Sequence, residues 1–583
     1  MATYVLGISC FYHDAAAALA KDGEIIAAAL EERFTRIKHD FSFPRNAIRF
    51  CLERAGISAR QLDYIVFYDK PFVKFERILF TAMATFPRGI RPFLQAMPLW
   101  LKQKLWVRNI IRKEVEADCP ILFTEHHESH AASAFYCSPF ERAAILTVDG
   151  VGEWATATMA VGEKNRVEIR KEIRFPNSLG LFYSAITYYL GFRVNDGEYK
   201  VMGLAPYGKP RYLEHMRELL SLHPDGSFSV NLRYFTYHYG LKMVGRKFER
   251  LFGQKRREPE SPITAFHKDV AASAQAWLEE VLMAMVRKTF EETKQPYLCM
   301  AGGVALNCVA NGRILREGPF RDLFVQPASS DAGGAVGAAL FVFHHLLGRK
   351  NRTPLSHVFL GSVFPPSETE AFLKKTGVNY EKLEEEILIR RTADALAEQK
   401  IIGWFQGAAE FGPRALGNRS ILADPRRAEM KDIINARVKH REAFRPFAPS
   451  VLEERAPEYF DLDRPSPYML LVARVKKPEE IPAVTHVDGT ARVQTVNLNQ
   501  NPRYYRLLKA FEERTGCPVL LNTSFNVRGE PIVNSPEDAY RCYQQTDLDI
   551  LVIDSFWIED KSVQLPAVEK KTKRRMEEEL WLS

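Results

Sequence analysis

The sequence predicts an α/β protein of two domains, the first of which is itself duplicated. Three observations predict this. The segment VLGISCFYHDAAAALAKDGE at 5–24 resembles ILTVDGVGEWATATMAVGEK at 145–164, each an apolar strand, a polar turn and a small-residue strand that returns. Strand-like and helix-like runs alternate on both sides of GRKNRTPLSHV at 347–357, a stretch rich in basic and turn residues that marks the best boundary. A chain of 583 residues and 66.6 kDa also exceeds what one ordinary core organises. The domains are therefore taken as 1–350 and 351–583.

In chain order, 4–9 reads as a buried strand, 15–21 as its hairpin partner, and 24–30 as a third strand or the start of a helix. Pro44 opens a helix through Arg54 that Gly56 closes. Residues 63–68 and 121–124 are strand-like, and 126–136 is helical. A long helix is expected over 267–292, a strand and glycine turn over 297–307, and a strand, loop and closely packed Ala/Gly helix over 323–340. The second domain is expected to hold helices at 390–399, around 428–438 and at 502–515, with strands at 400–405, 468–475, 518–521 and 549–552. Residues 193–200 read as a loop that caps a cleft, and 249–262, with Lys255, Arg256 and Arg257, as a surface excursion. Lys200 suits either an anionic ligand or a surface salt-bridge network. The tail at 570–583 reads as a charged helix or frayed end.

Composition excludes disorder and fibrous repeats: 46% of residues are hydrophobic and 26% charged. The net charge of +8 suits an anionic small substrate as well as a nucleic acid and decides between neither. The eight cysteines are scattered without a CxxC pair, which argues against a thiolate metal site and for reduced, buried thiols in a cytoplasmic protein. The start MATYVLGISC shows no signal-peptide pattern. The apolar run 332–343 is too short to span a bilayer. The stretch 76–107, with Arg88, Arg91 and Lys102, reads as helical packing surface, with a peripheral lipid contact as the alternative.

HHESHAASAFY places His126 and His130 one helical turn apart, a spacing that lets two imidazoles share a divalent cation. Packed or surface histidines are the plain alternative. Asp149 and Asp331 each lie where a strand gives way to a turn or helix, the edge at which α/β folds build sites. Two imidazoles and two carboxylates favour Fe(II), Mn or Zn over a soft metal. His13, in the polar turn of the first hairpin, is either a general base oriented by Asp14 or a structural turn histidine. Gly150 repeats that turn in the second half, and Gly302, Gly303 and Asn307 in AGGVALN permit close approach of a base or ribose.

The second domain gathers cations inside glycine- and proline-bounded motifs. These are Arg414 and Arg419 in EFGPRALGNRS, Lys439, Arg441 and Arg445 around HREAFRPFAPS, and Arg492 in an alternating strand. LLNTSFNVRGEPI adds Asn522, Thr523, Ser524, Asn526 and Arg528. Guanidinium groups suit bidentate oxyanion recognition, so a pocket for phosphates and a small amide is expected there. No long basic stripe speaks for RNA.

These motifs resemble, in order and over about residues 1–560, the O-carbamoyltransferase family of nodulation-factor and antibiotic biosynthesis. GISCFYHDAAAAL, HHESHAASAF, LTVDG and SSDAGGAVGAA match its first domain; FGPRALGNRS, REAFRPFAPS and LLNTSFNVRGEP match its second. The resemblance implies an actin/sugar-kinase/Hsp70-like first domain, similar to the universal threonylcarbamoyl-transfer protein, and a second domain similar to threonylcarbamoyl-adenylate synthase. It implies that His126, His130, Asp149 and Asp331 hold the metal and that His13 is the base for the acceptor hydroxyl. Lys439, Arg445, Arg492 and Ser524 then serve carbamoyl phosphate and the adenylate, with Arg414, Arg441 and Asn526 nearby. The implied substrates are ATP with Mg²⁺, carbamoyl phosphate, and a hydroxylated small molecule or sugar. No nucleic-acid partner and no membrane span are expected, and a homodimer is a fair prior. A small-molecule kinase of the same superfamily, tRNA threonylcarbamoyl transfer and a non-catalytic scaffold are the competing readings.

Overall fold

The computed structural model describes residues 2–566; the tail at 570–583 lies outside them. The described chain divides into two compact units. The first runs through Glu31 and resumes from Asp40 to Leu355; the second takes Glu32–His39 and the chain from Ser356 onward.

The first unit is built on two five-stranded sheets of the same design. The strands are β1 (Tyr4–Ser9), β2 (Ala16–Lys21), β3 (Glu24–Leu30), β4 (Tyr64–Phe67), β5 (Ile121–Phe123), β6 (Arg142–Val148), β7 (Ala155–Glu163), β8 (Arg166–Arg174), β9 (Tyr297–Ala301) and β10 (Asp322–Val325). The first sheet has the order β3-β2-β1-β4-β5 and the second β8-β7-β6-β9-β10. In each, an antiparallel meander lies on one side of a central strand and two parallel strands extend the other. The two segments that resemble each other in sequence are thus the β1–β2 and β6–β7 hairpins. The two sheets thus repeat one strand order, in keeping with the duplication expected from the sequence. Residues 24–30, ambiguous in sequence, are strand because Ala16 and Leu30 pair across the β2–β3 ladder.

The helix Asp331–Leu340 is buried along its whole length and packs on β1 and on the helix His126–Cys137. A Cβ at Gly337 would stand 1.7 Å from the carbonyl oxygen of Ser129, so only glycine allows that approach. The Ala/Gly run therefore sets the distance between the helices that carry Asp331 and the histidines. The long helix, Ala265–Thr293, begins at a capping box of Thr264 and His267.

Three local expectations are corrected. Glu198 begins a helix, Glu198–Leu204, so 193–200 is not a plain loop. The Glu198 carboxylate accepts from the amides of Asn195 and Gly197 and fixes the turn before the helix. Arg257 is buried, with its Nε donating to the carbonyl of Leu190 at 2.6 Å, so this part of 249–262 is anchored rather than solvated. The strand expected over 468–475 shrinks to Val472–Arg474, paired with Thr490–Arg492.

The second unit is a mixed eight-stranded sheet. Its order is Glu381–Lys382, Phe556–Ile558, Ile550–Ile553, Ile402–Phe405, Arg419–Ala423, Val519–Ser524, Ala448–Leu452 and Gln494–Val496. Glu32–His39 joins this unit through Arg33, which donates to the Gly412 carbonyl at 2.8 Å, and Arg36, which donates to the carbonyls of Pro531 and Ile532. Helices Glu385–Ala397 and Pro502–Thr515 pack against each other. No described helix is long and apolar enough to cross a membrane. All eight cysteines are free thiols, seven of them buried.

Candidate functional site

In the first unit the end of one central strand meets the starts of two helices. His126 and His130 lie on the first turns of His126–Cys137, and their Nε2 atoms stand 3.1 Å apart. Asp149 follows β6 and places Oδ2 3.1 Å from His126 Nε2 and 3.8 Å from His130 Nε2. Asp331 opens its helix and places Oδ1 3.8 Å and 3.9 Å from the same two nitrogens. Four potential ligand atoms thus lie within 4.8 Å of one another.

This set fits a divalent cation. Nitrogen and oxygen ligands bound at ~2.1 Å sit about 3–3.5 Å apart around a shared ion, and the shortest separations observed are of that order. The electrostatics agree. Burial pushes the Asp331 carboxyl up to about 6, and the charge of Asp149 adds to the shift. Burial would also raise Asp149, but hydrogen bonds from His126 and His130 hold it well below the ordinary carboxylate range. Burial, with the charge of His130, keeps His126 neutral, as a metal ligand must be. Two largely buried carboxylates beside the neutral His126 imidazole leave negative charge that a cation would balance.

The surroundings aim these side chains. The Gly303 amide donates to Asp149 Oδ1 at 2.8 Å, which leaves Oδ2 to the histidines. Gly302 makes the turn with φ +93°, and a Cβ there would stand 2.3 Å from the Val148 carbonyl oxygen. Ser178 donates to the carbonyl of Gly150 at 2.6 Å and fixes the turn after Asp149. His127 faces the wall, with Nδ1 2.6 Å from Thr147 Oγ1. Two contributors escaped the sequence reading. Tyr68 donates its hydroxyl to Asp331 Oδ2 at 3.0 Å, and Glu153 accepts from the backbone amides of His126 and Lys70. Tyr68 follows β4 directly, so the strand-end criterion that marked Asp149 would have found it.

His13 lies close by. Its Nδ1 is 2.9 Å from Asp14 Oδ2, and Ser330, the residue before Asp331, donates to the same oxygen at 3.1 Å. Nε2 is 3.3 Å from the carbonyl of Asn195. Asn307 is turned inward. It caps the helix Cys308–Glu317 and exchanges two amide hydrogen bonds with Gln275.

In the second unit the cations divide into two kinds. Arg419 is wholly buried, 3.6 Å from the Phe405 ring centroid, and donates to four backbone carbonyls, among them Gln406 and Ser362. It holds the sheet together. Lys439 is also buried, and its Nζ contacts Ser524 O, Asn526 O and Asn526 Oδ1 at 2.6–2.9 Å. Burial, and then the charge of Arg441, push its ammonium pKa well down. Arg441 donates to Asn435 Oδ1 at 2.7 Å, and the Asn435 amide donates back to the Arg445 carbonyl at 3.2 Å. Arg445 and Arg528 stand at the outer limit of ion pairing with Glu442, at 3.8 and 4.0 Å. Asn522 ties in the other segments. Its amide donates to the carbonyl of Ala415, beside Arg414, and to Gln494, two residues beyond Arg492. Thr523 and Ser524 end that strand, paired with Ile421 and Ser420. Lys439, Ser524 and Asn526 are therefore in direct contact, and the segments carrying Arg414 and Arg492 are pinned to the same strand.

Residues 4–340 match the family described as Carbamoyltransferase N-terminus, and residues 393–560 that described as Carbamoyltransferase C-terminus. The chain is 52% identical to an uncharacterized protein of Synechocystis sp. over 95% of its own length and 96% of that protein. It is 42% identical to the nodulation protein NolNO of Sinorhizobium fredii over 95% of its length and 80% of the relative. Identity is 34% to the 3'-hydroxymethylcephem-O-carbamoyltransferase of Amycolatopsis lactamdurans over 50% of this chain and 54% of that one. The chain belongs to the carbamoyltransferase family and is an enzyme of carbamoyl transfer.

Proposed function

We propose that this carbamoyltransferase forms carbamoyl-adenylate from carbamoyl phosphate and ATP in its second domain, and in its first domain transfers the carbamoyl group to a hydroxyl of a small molecule or sugar, with release of AMP. The observation that carries the reading is the pairing of His126, His130, Asp149 and Asp331 with the His13–Asp14–Ser330 chain that ends one residue from Asp331. The likeness of the second domain to threonylcarbamoyl-adenylate synthase is part of the proposal.

In the first step water cleaves carbamoyl phosphate into carbamate and inorganic phosphate. A carbamate oxygen then attacks the α-phosphorus of ATP, and diphosphate leaves. Arg441, Arg445 and Arg492 would spread the charge of the phosphates, with Arg414 beside them, while Ser524, Asn526 and Thr523 offer polar groups to the carbamoyl amide. Lys439 holds the Ser524–Asn526 turn in place. Mg²⁺ would accompany ATP.

In the second step His13 takes the proton of the acceptor hydroxyl. The tautomer that gives Nδ1–H to Asp14 leaves Nε2 as the basic nitrogen. The acceptor oxygen attacks the carbamoyl carbon, the bond from that carbon to the adenylate oxygen breaks, and AMP departs. A divalent ion held by His126, His130, Asp149 and Asp331, Fe(II) first with Mn or Zn as alternatives, would stabilise negative charge on a carbonyl or phosphate oxygen. Gly150, Gly302 and Gly303 offer backbone close to the same place, and the Asn307 side chain acts by shaping the turn.

Purified protein incubated with ATP, carbamoyl phosphate and a panel of hydroxylated acceptors tests this. An acceptor heavier by one carbamoyl group together with AMP supports the proposal. ADP and a phosphoester would establish the kinase reading in its place. His13→Ala should still release diphosphate from ATP but leave the acceptor unmodified.

A further inference from the structure

The helix Pro71–Ala84 is amphipathic in the inverse sense, and the helix Ile90–Lys102, which buries Ala96 and Trp100, still leaves large apolar side chains outside. On the first, Lys74 and Arg77 point inward and are buried: Lys74 lies 2.8 Å from the buried Asp69 and 3.3 Å from the Tyr12 ring centroid, and Arg77 covers Phe175. The outward face carries Phe72, Leu79, Phe80 and Met83, spaced as one helical stripe. Phe86, Ile90, Leu94, Leu101 and Trp106 continue it, with Phe72 68%, Phe86 70% and Leu94 62% exposed. Nine of the fifteen large apolar side chains exposed among the described residues thus fall between Phe72 and Trp106. Such a concentration marks an interaction surface rather than the ordinary scatter of exposed apolar groups.

The charge around the stripe identifies the occupant. Between Pro71 and Lys113 the chain has nine Lys and Arg residues and one acid, Glu76. Arg88, Arg91, Lys102, Arg108, Arg112 and Lys113 are exposed. A second copy joined about a twofold axis would set two basic rims against each other, which like-charge repulsion opposes. A bilayer with anionic headgroups satisfies both features, apolar side chains entering the headgroup boundary and cations pairing with phosphates. We propose that the 71–113 segment docks the first unit in the plane of an anionic membrane surface, with Phe86, Leu94 and Trp106 as insertion points and Arg88 and Arg91 as headgroup contacts. The inference does not depend on the transfer reaction.

Flotation of the full chain with phosphatidylcholine vesicles, with and without phosphatidylglycerol, tests it. Binding is expected only with the anionic lipid and should weaken as salt is raised. Phe86→Ser combined with Leu94→Ser should reduce binding about tenfold or more, and Arg88→Glu with Arg91→Glu should remove most of the preference for anionic lipid. All four positions are exposed, so the thermal midpoint should stay unchanged. Failure to float with anionic vesicles overturns the proposal. So does a concentration-dependent dimer that Leu94→Ser disperses without any lipid binding.

Discussion

The acidic cluster of the first unit and the cationic loops of the second are built by opposite means. Asp149 and Asp331 are short, largely buried and alike in charge, so they approach one another only because a strand end, a glycine turn and a buried helix force them together. The cations of the second unit are long side chains on loops, each already given a neighbour by its own unit: Asn435 for Arg441, Glu442 for Arg445 and Arg528, and the Ser524–Asn526 turn for Lys439. The first arrangement holds its geometry before a ligand arrives. On the proposed function, the second would exchange internal partners for its ligand. Substitutions should accordingly be unforgiving in one and graded in the other.

The strongest way to break this contrast is at a ligand. His126→Ala or Asp149→Ala should strip the metal, read by elemental analysis of the purified protein, and lower acceptor carbamoylation by about 10³-fold or more. Full metal content in either variant would refute the assignment. Next is Lys439→Met, which should cut diphosphate release from ATP by about 10²–10³-fold while metal content stays intact; a loss of metal here would join the two regions that the contrast separates. Tyr68→Phe sharpens it further. Asp331 keeps its place but loses its hydroxyl partner, and metal affinity measured by chelator competition should fall about 10–100-fold. The smallest effect belongs to Arg528→Ala. This arginine is 41% exposed and 4.0 Å from Glu442, so the KM for carbamoyl phosphate should rise less than about fivefold.

The two regions also differ in how openly the sequence declared them. The His126/His130 spacing is a property of one helix, and the 5–24 and 145–164 likeness is a property of two hairpins, so both were visible as local pattern. The loop arginines looked alike in composition, yet Arg419 is a core strut fixed by backbone carbonyls and Arg441 is a pocket candidate. Flanking residue types cannot separate those fates, because they are set by which strands pair across more than a hundred positions. The inverted stripe on Pro71–Ala84 was obscured for a related reason. Its periodicity is plain, but periodicity says only that a helix has two faces and leaves open which one turns inward.

What the sequence determined by itself was the α/β alternation, the internal duplication, the four candidate ligands and the motifs of the carbamoyltransferase family, since short-range periodicity and strand-end chemistry are written in consecutive residues. Only the tertiary structure decided that Glu32–His39 belongs with the second unit, that Tyr68 supports Asp331, and that Phe72, Phe80 and Met83 face outward over buried Lys74 and Arg77. These depend on packing between segments remote in the chain, where the burial of Asp69 and Tyr12 draws the cations in and leaves the apolar face to the surface.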